Sequence, residues 1–374
     1  MSEMKKLGFG MMRLPLTQPD DTTKIDFPQV CRMVDTFLEK GFTYFDTAYM
    51  YHNHNSERIV NEALVKRHPR DSFRLATKLP LGMMKGMEPS DMERIFQEQR
   101  EKCGVDYFDY YLLHCLDKEN YARAQEFDSF AFLQQKKAEG QIRKMGFSYH
   151  DNAELLDQIL TEHPETEFVQ LQINYLDWED DMVQSRKCYE VCVRHQKPVI
   201  VMEPVKGGML ASIPDKAAEL FKSHEPDVSV ASWAVRFAAS LDNVFMVLSG
   251  MSNEQQLQDN TAFMTDFKPL NNEELTVINQ AVDIIHASIA VQCTACRYCT
   301  EGCPMKIAIP DYFTLYNRQL QFGDASRSRD RFRDLAGRSG KPSECIACGQ
   351  CEDHCPQHLP IIENLKKAAE LFEA

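Results

Sequence analysis

Eight short apolar runs, separated by longer amphipathic stretches, constrain the fold of this chain more than any other feature. The first lies near LGFGMMRLP. The others are FTYFD, FRLATK, FDYYLLH, IRKMGFS, FVQLQIN, PVIVMEP and NVFMVLS, all rich in β-branched or aromatic residues. Between them, segments such as Ser56–Lys66, Met92–Cys103, Ala153–Glu162 and Asp180–His195 space their apolar residues for one face of a helix. A strand followed by a helix, repeated eight times, predicts a parallel sheet closed into a (β/α)8 TIM barrel. An open doubly wound sheet is the alternative, and the lack of a GxGxxG after the first run counts against it.

Two more amphipathic segments, Glu254–Asp266 and Glu273–His286, follow the last run, which places the barrel at 1–286 and a second domain at 287–374. That tail holds eight of the thirteen cysteines. They fall as Cys293, Cys296, Cys299, Cys303 before Pro304, and as Cys345, Cys348, Cys351, Cys355 before Pro356. Each is C-x2-C-x2-C-x3-C-P, the run of bacterial two-cluster ferredoxins, in which the fourth cysteine ligates the other cluster. Zinc is the plainer reading of clustered cysteines, but structural zinc uses separated ligand pairs and has no role for a third evenly spaced cysteine. Two 4Fe-4S clusters are therefore expected. The crossed scheme gives one Cys293, Cys296, Cys299 and Cys355, and the other Cys345, Cys348, Cys351 and Cys303. Spacing alone leaves local pairing open. Between the runs, Tyr312, Leu315, Tyr316 and Leu320 and the charged stretch SRSRDRFRDLAG have helical spacing, so a small, mainly helical ferredoxin-like domain is expected. The other cysteines, Cys31, Cys103, Cys115, Cys188 and Cys192, read as buried thiols.

With 43% hydrophobic residues, the chain can bury a sizeable core, and its net charge of −14 would be repelled by nucleic acid or an anionic membrane surface. No apolar run has the length of a signal peptide or a membrane span, so a cytoplasmic protein is expected.

Asp46 ends FTYFD, Lys78 ends FRLATK and His114 ends FDYYLLH, and Tyr51 follows Asp46 by five residues. In a parallel barrel these strand ends open on one face, where barrel enzymes do their chemistry. The set suits carbonyl reduction. A tyrosine can protonate a developing alkoxide, a neighbouring ammonium would lower its pKa, a carboxylate would hold that ammonium, and the imidazole would donate to the substrate oxygen. His52 and His54 flank Asn53 just after this tyrosine and read as solvated or substrate-facing; a metal would need a third ligand. Trp178 reads as a pocket-lining, core or rim residue.

These segments resemble the aldo/keto reductases. FDTAYMYHNHNSERIVNEAL is similar to that family's D-T-A-x-x-Y segment, and RLATKLP and YYLLHCLD are similar to its lysine and histidine segments, over roughly residues 5–286. The resemblance implies a small-molecule carbonyl substrate and a nicotinamide cofactor. It places Ser148 and Gln172 at the carboxamide. In MEPVKGG it places Met202, Pro204, Gly207 and Gly208, and in SGMSNEQQLQDN it places Ser249, Gly250, Gln256 and Asn260, along the rest of the dinucleotide. Met202 stands where many members have an aromatic ring and Gln256 where many have an arginine for a 2′-phosphate, so NAD and NADP both stay open. A subgroup of the family carries a ferredoxin-like extension of this kind.

The leading expectation is an oxidoreductase in which barrel and clusters cooperate, with a ferredoxin or other redox protein as a partner. An ordinary carbonyl reductase with structural or oxygen-sensing clusters is the second reading, and an electron-carrier or docking subunit with a non-catalytic barrel the third. Coupling hydride to single electrons calls for a step that splits the pair, as a flavin does, and no segment is assigned to a flavin. Anaerobically purified protein is expected to contain about eight irons per chain with matching acid-labile sulfide, by colorimetric assay. Stoichiometric zinc without sulfide would contradict it.

Overall fold

Strand β1 (Leu7–Gly10) is hydrogen-bonded to β8 (Val244–Ser249), and this pairing closes eight parallel strands into a barrel in sequence order. Between them run β2 (Tyr44–Asp46), β3 (Arg74–Leu79), β4 (Phe108–Leu116), β5 (Ile142–Tyr149), β6 (Phe168–Gln172) and β7 (Val199–Met202). The molecule is a computed structural model that describes residues 4–373, apart from 19, 20, 85, 182, 294, 296, 324 and 356. Cys296 and Pro356 thus lie outside the described residues. The barrel and the ferredoxin-like helical region are those expected from the alternation and the cysteine runs.

The two-residue repeat of strands decides what fills the lumen. Tyr44, Ala76, Leu112, Phe168, Ile200, Met246 and Leu248 come from six different strands, yet form one buried cluster. Their neighbours in sequence face outward. Phe9 and Phe45 pack on Phe37 of the helix Phe27–Glu39, with ring centroids 5.6 and 5.4 Å apart, and Phe42 stacks on the same ring at 5.1 Å. Large lumen rings need small neighbours. A Cβ on Gly146 would sit 2.4 Å from the Phe168 carbonyl oxygen, and one on Gly8 would sit 2.7 Å from Leu248 Cδ2.

Two sequence boundaries shift. The helix expected over Asp180–His195 runs over Ser185–Arg194, because Gln184 adopts a left-handed φ of 54°. The segment Ser56–Lys66 is one short α-helix, Ser56–Val60, continued by a π turn at Asn61–Val65.

The chain divides into two compact units, residues 1–207 with 231–275, and residues 208–230 with 276–374. The second unit contains a structural repeat 52 residues long. The helix Tyr298–Glu301 matches Gln350–Asp353, and Ile309–Phe322 matches Ile361–Phe372. Left-handed residues recur in step: Ala295 with Ala347, Arg297 with Gly349, and Lys306 with His358. Its core gathers the described cysteines of both runs except the exposed Cys348, with Ile307, Ile309, Tyr312, Phe313 and Leu365. The charged stretch forms the helix Ala325–Ala336. Of the four apolar positions between the cysteine runs, Tyr312 and Leu315 are buried and Leu320 is exposed. No described helix is long and apolar enough to cross a membrane.

Gly146→Ala is expected to destabilise the protein by about 1–3 kcal/mol, because the clash is with backbone that cannot rotate away. Gly8→Ala should cost less, since a leucine terminus can turn. Urea midpoints of the two variants check this; a Gly146→Ala midpoint equal to wild type would refute the packing account.

Candidate active site and thiol pockets

Following the lumen phase to the C-terminal ends of the strands reaches Asp46, Lys78, His114, Gln172 and Met202, each an even number of residues beyond a lumen side chain, and Ser148, two residues beyond Gly146. Asp46 ends β2, whereas Lys78 is one residue short of the end of β3 and His114 two short of the end of β4. The alternation thus brings them to one rim.

Lys78 Nζ donates to Asp46 Oδ1 at 2.5 Å and to the Thr47 carbonyl at 2.8 Å. Both side chains are almost wholly buried, at 1% and 3% exposure, so each charge depends on the other. Burial opposes the ammonium, but Asp46 and Tyr51 together hold its pKa above the ordinary lysine value. The ammonium lies 5.2 Å from the Tyr51 ring centroid, and the His114 ring meets Tyr51 edge-on at 6.1 Å. The four residues therefore adjoin. The phenol does not show the lowered pKa expected from its lysine: burial pushes it up, and the Lys78 charge only partly offsets this. A raised phenol stays protonated at neutral pH, which is the state of a proton donor. Burial, with the charges of Lys78 and His150, drives His114 well below the usual histidine range, so its ring is neutral. His114 Nδ1 and Asp46 Oδ2 have no hydrogen-bond partner among the described residues.

Tyr51 is held by its loop. His52, Asn53 and His54 are all left-handed, with φ of 51°, 51° and 68°. His52 pins the turn, its Nε2 accepting from the Leu14 amide at 3.1 Å and its Nδ1 donating to the Thr22 carbonyl at 3.0 Å. His54 Nδ1 meets the Tyr49 carbonyl at 3.0 Å. Both histidines are thus anchors of the loop backbone.

Ser148 is buried and its Oγ accepts from the Cys115 amide at 2.7 Å, which leaves the hydroxyl proton free to donate. Gln172 Nε2 donates to Asp177 Oδ2 at 3.1 Å, leaving its carbonyl oxygen to accept. A donor and an acceptor on neighbouring strand ends are the complement of a primary carboxamide. Met202 is the register partner of Gln172. Pro204 is buried, and Gly207 and Gly208 have φ of 66° and 100°. Ser249 turns outward instead, its Oγ accepting from Asn260 Nδ2 at 2.7 Å, so these two lock the helix Glu254–Thr265 to β8. Gln256 is exposed and its Oε1 accepts from the Ser252 amide at 2.7 Å. Gly250 packs against Arg13, where a Cβ would meet the side chain at 3.1 Å. Trp178 packs on Tyr189 and Phe237 at 5.7 and 5.6 Å, a place in the outer helical layer.

Sequence reasoning missed Asp177. Its buried carboxylate accepts from Gln172, from Asn174 Nδ2 at 2.8 Å and from Lys206 Nζ, tying the end of β6 to the loop after β7. The signal was N-Y-L-D, an Asn whose Oδ1 accepts from the Asp177 amide at 2.9 Å. Glu57 was also missed. It lies behind β3, where its Oε1 accepts from Thr77 Oγ1 at 2.8 Å and Gln99 Nε2 at 2.7 Å; Gln99 also donates to the Lys78 carbonyl at 3.0 Å.

In the second unit, Cys293, Cys299 and Cys355 line one pocket of about 320 Å3 with Arg297 and Gln357. Cys303, Cys345, Cys348 and Cys351 line another of about 320 Å3, bounded otherwise by apolar side chains and Pro304. Ile309 lines both. The fourth cysteine of each run therefore faces the pocket of the other run. Thiols spaced around a cavity in an apolar core fit a polynuclear sulfide cluster by donor type and placement. Burial, with neighbouring thiolates, pushes Cys351 up to about 11, so filling this pocket must release protons. The Ile307 amide already donates to Cys303 Sγ at 3.5 Å.

Residues 6–283 match the aldo/keto reductase family and residues 292–359 match a 4Fe-4S dicluster domain. The chain belongs to the aldo/keto reductase family and is an oxidoreductase. It is 24% identical over 282 residues to a 9,11-endoperoxide prostaglandin H2 reductase of Trypanosoma cruzi, covering 74% of this chain and 87% of that one. An uncharacterized oxidoreductase of Bacillus subtilis is 23% identical, with 74% and 92% covered. Among solved structures, the holo form of an aldo-keto reductase from Bacillus halodurans shares the fold at a TM-score of 0.59 and 23% identity, over 74% of this chain and 91% of that one. An aldo-keto reductase of Klebsiella pneumoniae in complex with NADPH does so at 0.57 and 20%, over 74% and 90%.

Glu57 provides a test of the buried network behind Lys78. Burial pushes its carboxyl up to about 7 against the hydrogen bonds from Thr77 and Gln99, while unfolded glutamate titrates near 4.5. Between those values only the folded chain keeps the proton, so stability falls as pH rises through the window. Glu57→Gln removes this dependence. Its stability relative to wild type should rise between pH 5 and pH 8 by on the order of 1–3 kcal/mol, read from urea midpoints. A flat difference would contradict the assignment.

Proposed function

We propose that the barrel reduces a small-molecule carbonyl using a nicotinamide cofactor, with Tyr51 as proton donor, and that the second unit holds two 4Fe-4S clusters through which single electrons pass. The observation that carries this reading is the buried Asp46–Lys78 ion pair against Tyr51, with a neutral His114 at the phenol's edge. An ion pair this deep costs desolvation, and a merely structural barrel gains nothing from placing it beneath a rim tyrosine. The Klebsiella relative's NADPH complex supports the nicotinamide, and the complementary Ser148 hydroxyl and Gln172 carbonyl supply its amide partners.

A bound nicotinamide would supply hydride, held by Ser148, Gln172, Met202, Pro204, Gly207 and Gly250, and clusters on the two cysteine sets would supply single electrons. The chain's own part is the proton. His114, neutral and able to donate from one nitrogen, orients the carbonyl oxygen. Tyr51 Oη gives its proton to that oxygen as negative charge develops there. The Lys78 ammonium then stabilises the phenolate left behind, and Asp46 keeps Lys78 charged and aimed. Ser249, Asn260 and Gln256 act in this reading by shaping the loop after β8.

For the clusters we propose the crossed set: Cys293, Cys296, Cys299 and Cys355 for one, and Cys303, Cys345, Cys348 and Cys351 for the other. The linings of the two thiol pockets support it. A cytoplasmic location belongs to the same reading, since exposed thiolate clusters need a reducing compartment.

Tyr51→Phe should lower kcat for carbonyl reduction on the order of a hundredfold or more, while the Kd for the dinucleotide stays within a few-fold of wild type. Stopped-flow turnover and fluorescence titration measure the two. Wild-type turnover in the variant would overturn the proton-donor assignment.

A further inference from the structure

Within the second unit, Cys348 of the second thiol pocket is exposed and sits beside Ile346, an apolar side chain 60% exposed. Next to this second pocket lies a basic stretch of an acidic chain. Residues 325–341 carry a formal charge of +4 in a protein of −14. The helix Ala325–Ala336 buries Phe332, which packs on Tyr312 at 5.3 Å, three residues from the Ile309 that walls both pockets. Beyond the helix, Gly340 pairs with Ile307, a residue of the second pocket's lining, and its amide donates to the Lys306 carbonyl at 3.1 Å. The basic stretch is thus level with that pocket. Its acids are already engaged. Asp330 pairs with Arg333 at 3.0 Å, Asp334 with Arg338 at 3.8 Å, and Glu344 accepts from the Lys341 amide. The exposed Arg329, Arg331, Lys306 and Lys341 have no carboxylate in ion-pair reach among the described residues.

Resting on the reading that both pockets hold clusters, we propose that the pocket of Cys303, Cys345, Cys348 and Cys351 is the electron port, and that Arg329, Arg331, Lys306 and Lys341 form the docking face for a small acidic one-electron carrier protein. The chain's net charge of −14 repels an anionic carrier, and the basic residues beside this pocket steer it to this face. Ile346 gives the contact an apolar centre, and the exposed Cys348 offers a path inward. The step moves one electron. The reduced carrier is oxidised by one unit, the cluster behind Cys348 is reduced by one, and no bond or proton is exchanged.

The test uses anaerobic holoprotein and a reduced, acidic two-cluster ferredoxin as the probe, following cluster bleaching by stopped flow. The wild-type second-order rate should fall as salt is raised. The variant Arg329→Glu/Arg331→Glu should be about tenfold slower or more at low ionic strength and nearly insensitive to salt. Dithionite should bleach it as fast as wild type, which shows its clusters intact, and the barrel-surface control Lys24→Glu/Lys268→Glu should keep the wild-type rate. Equal rates for the arginine variant and wild type at low salt, with normal dithionite bleaching, would overturn the docking face and leave the cluster reading standing. Wild-type protein that dithionite cannot bleach would overturn the cluster reading and this proposal together.

Discussion

Closure of eight parallel strands is the constraint on which the barrel's chemistry depends. Once β1 pairs with β8, no strand can slip by one residue without turning its whole set of side chains inside out. The same phase that puts Tyr44, Ala76 and Leu112 in the apolar lumen must therefore put Asp46, Lys78 and His114 above them. Their meeting needs no special loop. The ion pair between the first two is costly where it lies, and it persists because the strands leave neither partner anywhere else to go. Tyr51 is different in kind, since it is placed by a loop, and three consecutive left-handed residues with a buried histidine as their anchor are what hold that loop.

The second unit solves another problem. A segment of this size has little apolar surface to bury, and here the described cysteines other than Cys348 are themselves part of the core, packed with Ile307, Phe313 and Leu365. Repeated left-handed turns at matching places let each cysteine run curl around a cavity, and the run's last cysteine crosses to the other one. Protonated thiols in so apolar a setting are poor partners for one another, which favours whatever ion can replace the protons.

Much of this was legible in the order of residue types. The strands announce themselves by apolar runs, and the rim residues by falling at the run ends. The cysteine spacing pointed to the donor sets before their crossing could be seen. What escaped notice depends on side-chain direction or on distant partners. Ser249 belongs to a matching segment, yet its odd position in β8 turns it toward Asn260 and away from the lumen. Asp177 and Glu57 are single acids in unremarkable loops and helices, and only the fold shows that three donors converge on the one and two on the other. The depth of Tyr51 was also invisible, so a neighbouring lysine suggested a lowered phenol where burial raises it.

Ile309 is a partition shared by two rooms. A larger side chain there would intrude on both cavities, and a smaller one would join them, so neither can be resized alone. The two halves of the repeat differ at Arg297 and Gly349 and at Met305 and Gln357, but Ile309 and its counterpart Ile361 are the same residue type, and Ile309 serves both cavities. Whatever occupies the cavities has to be accommodated as a pair, and the domain can be inherited whole or lost whole far more readily than it can be halved.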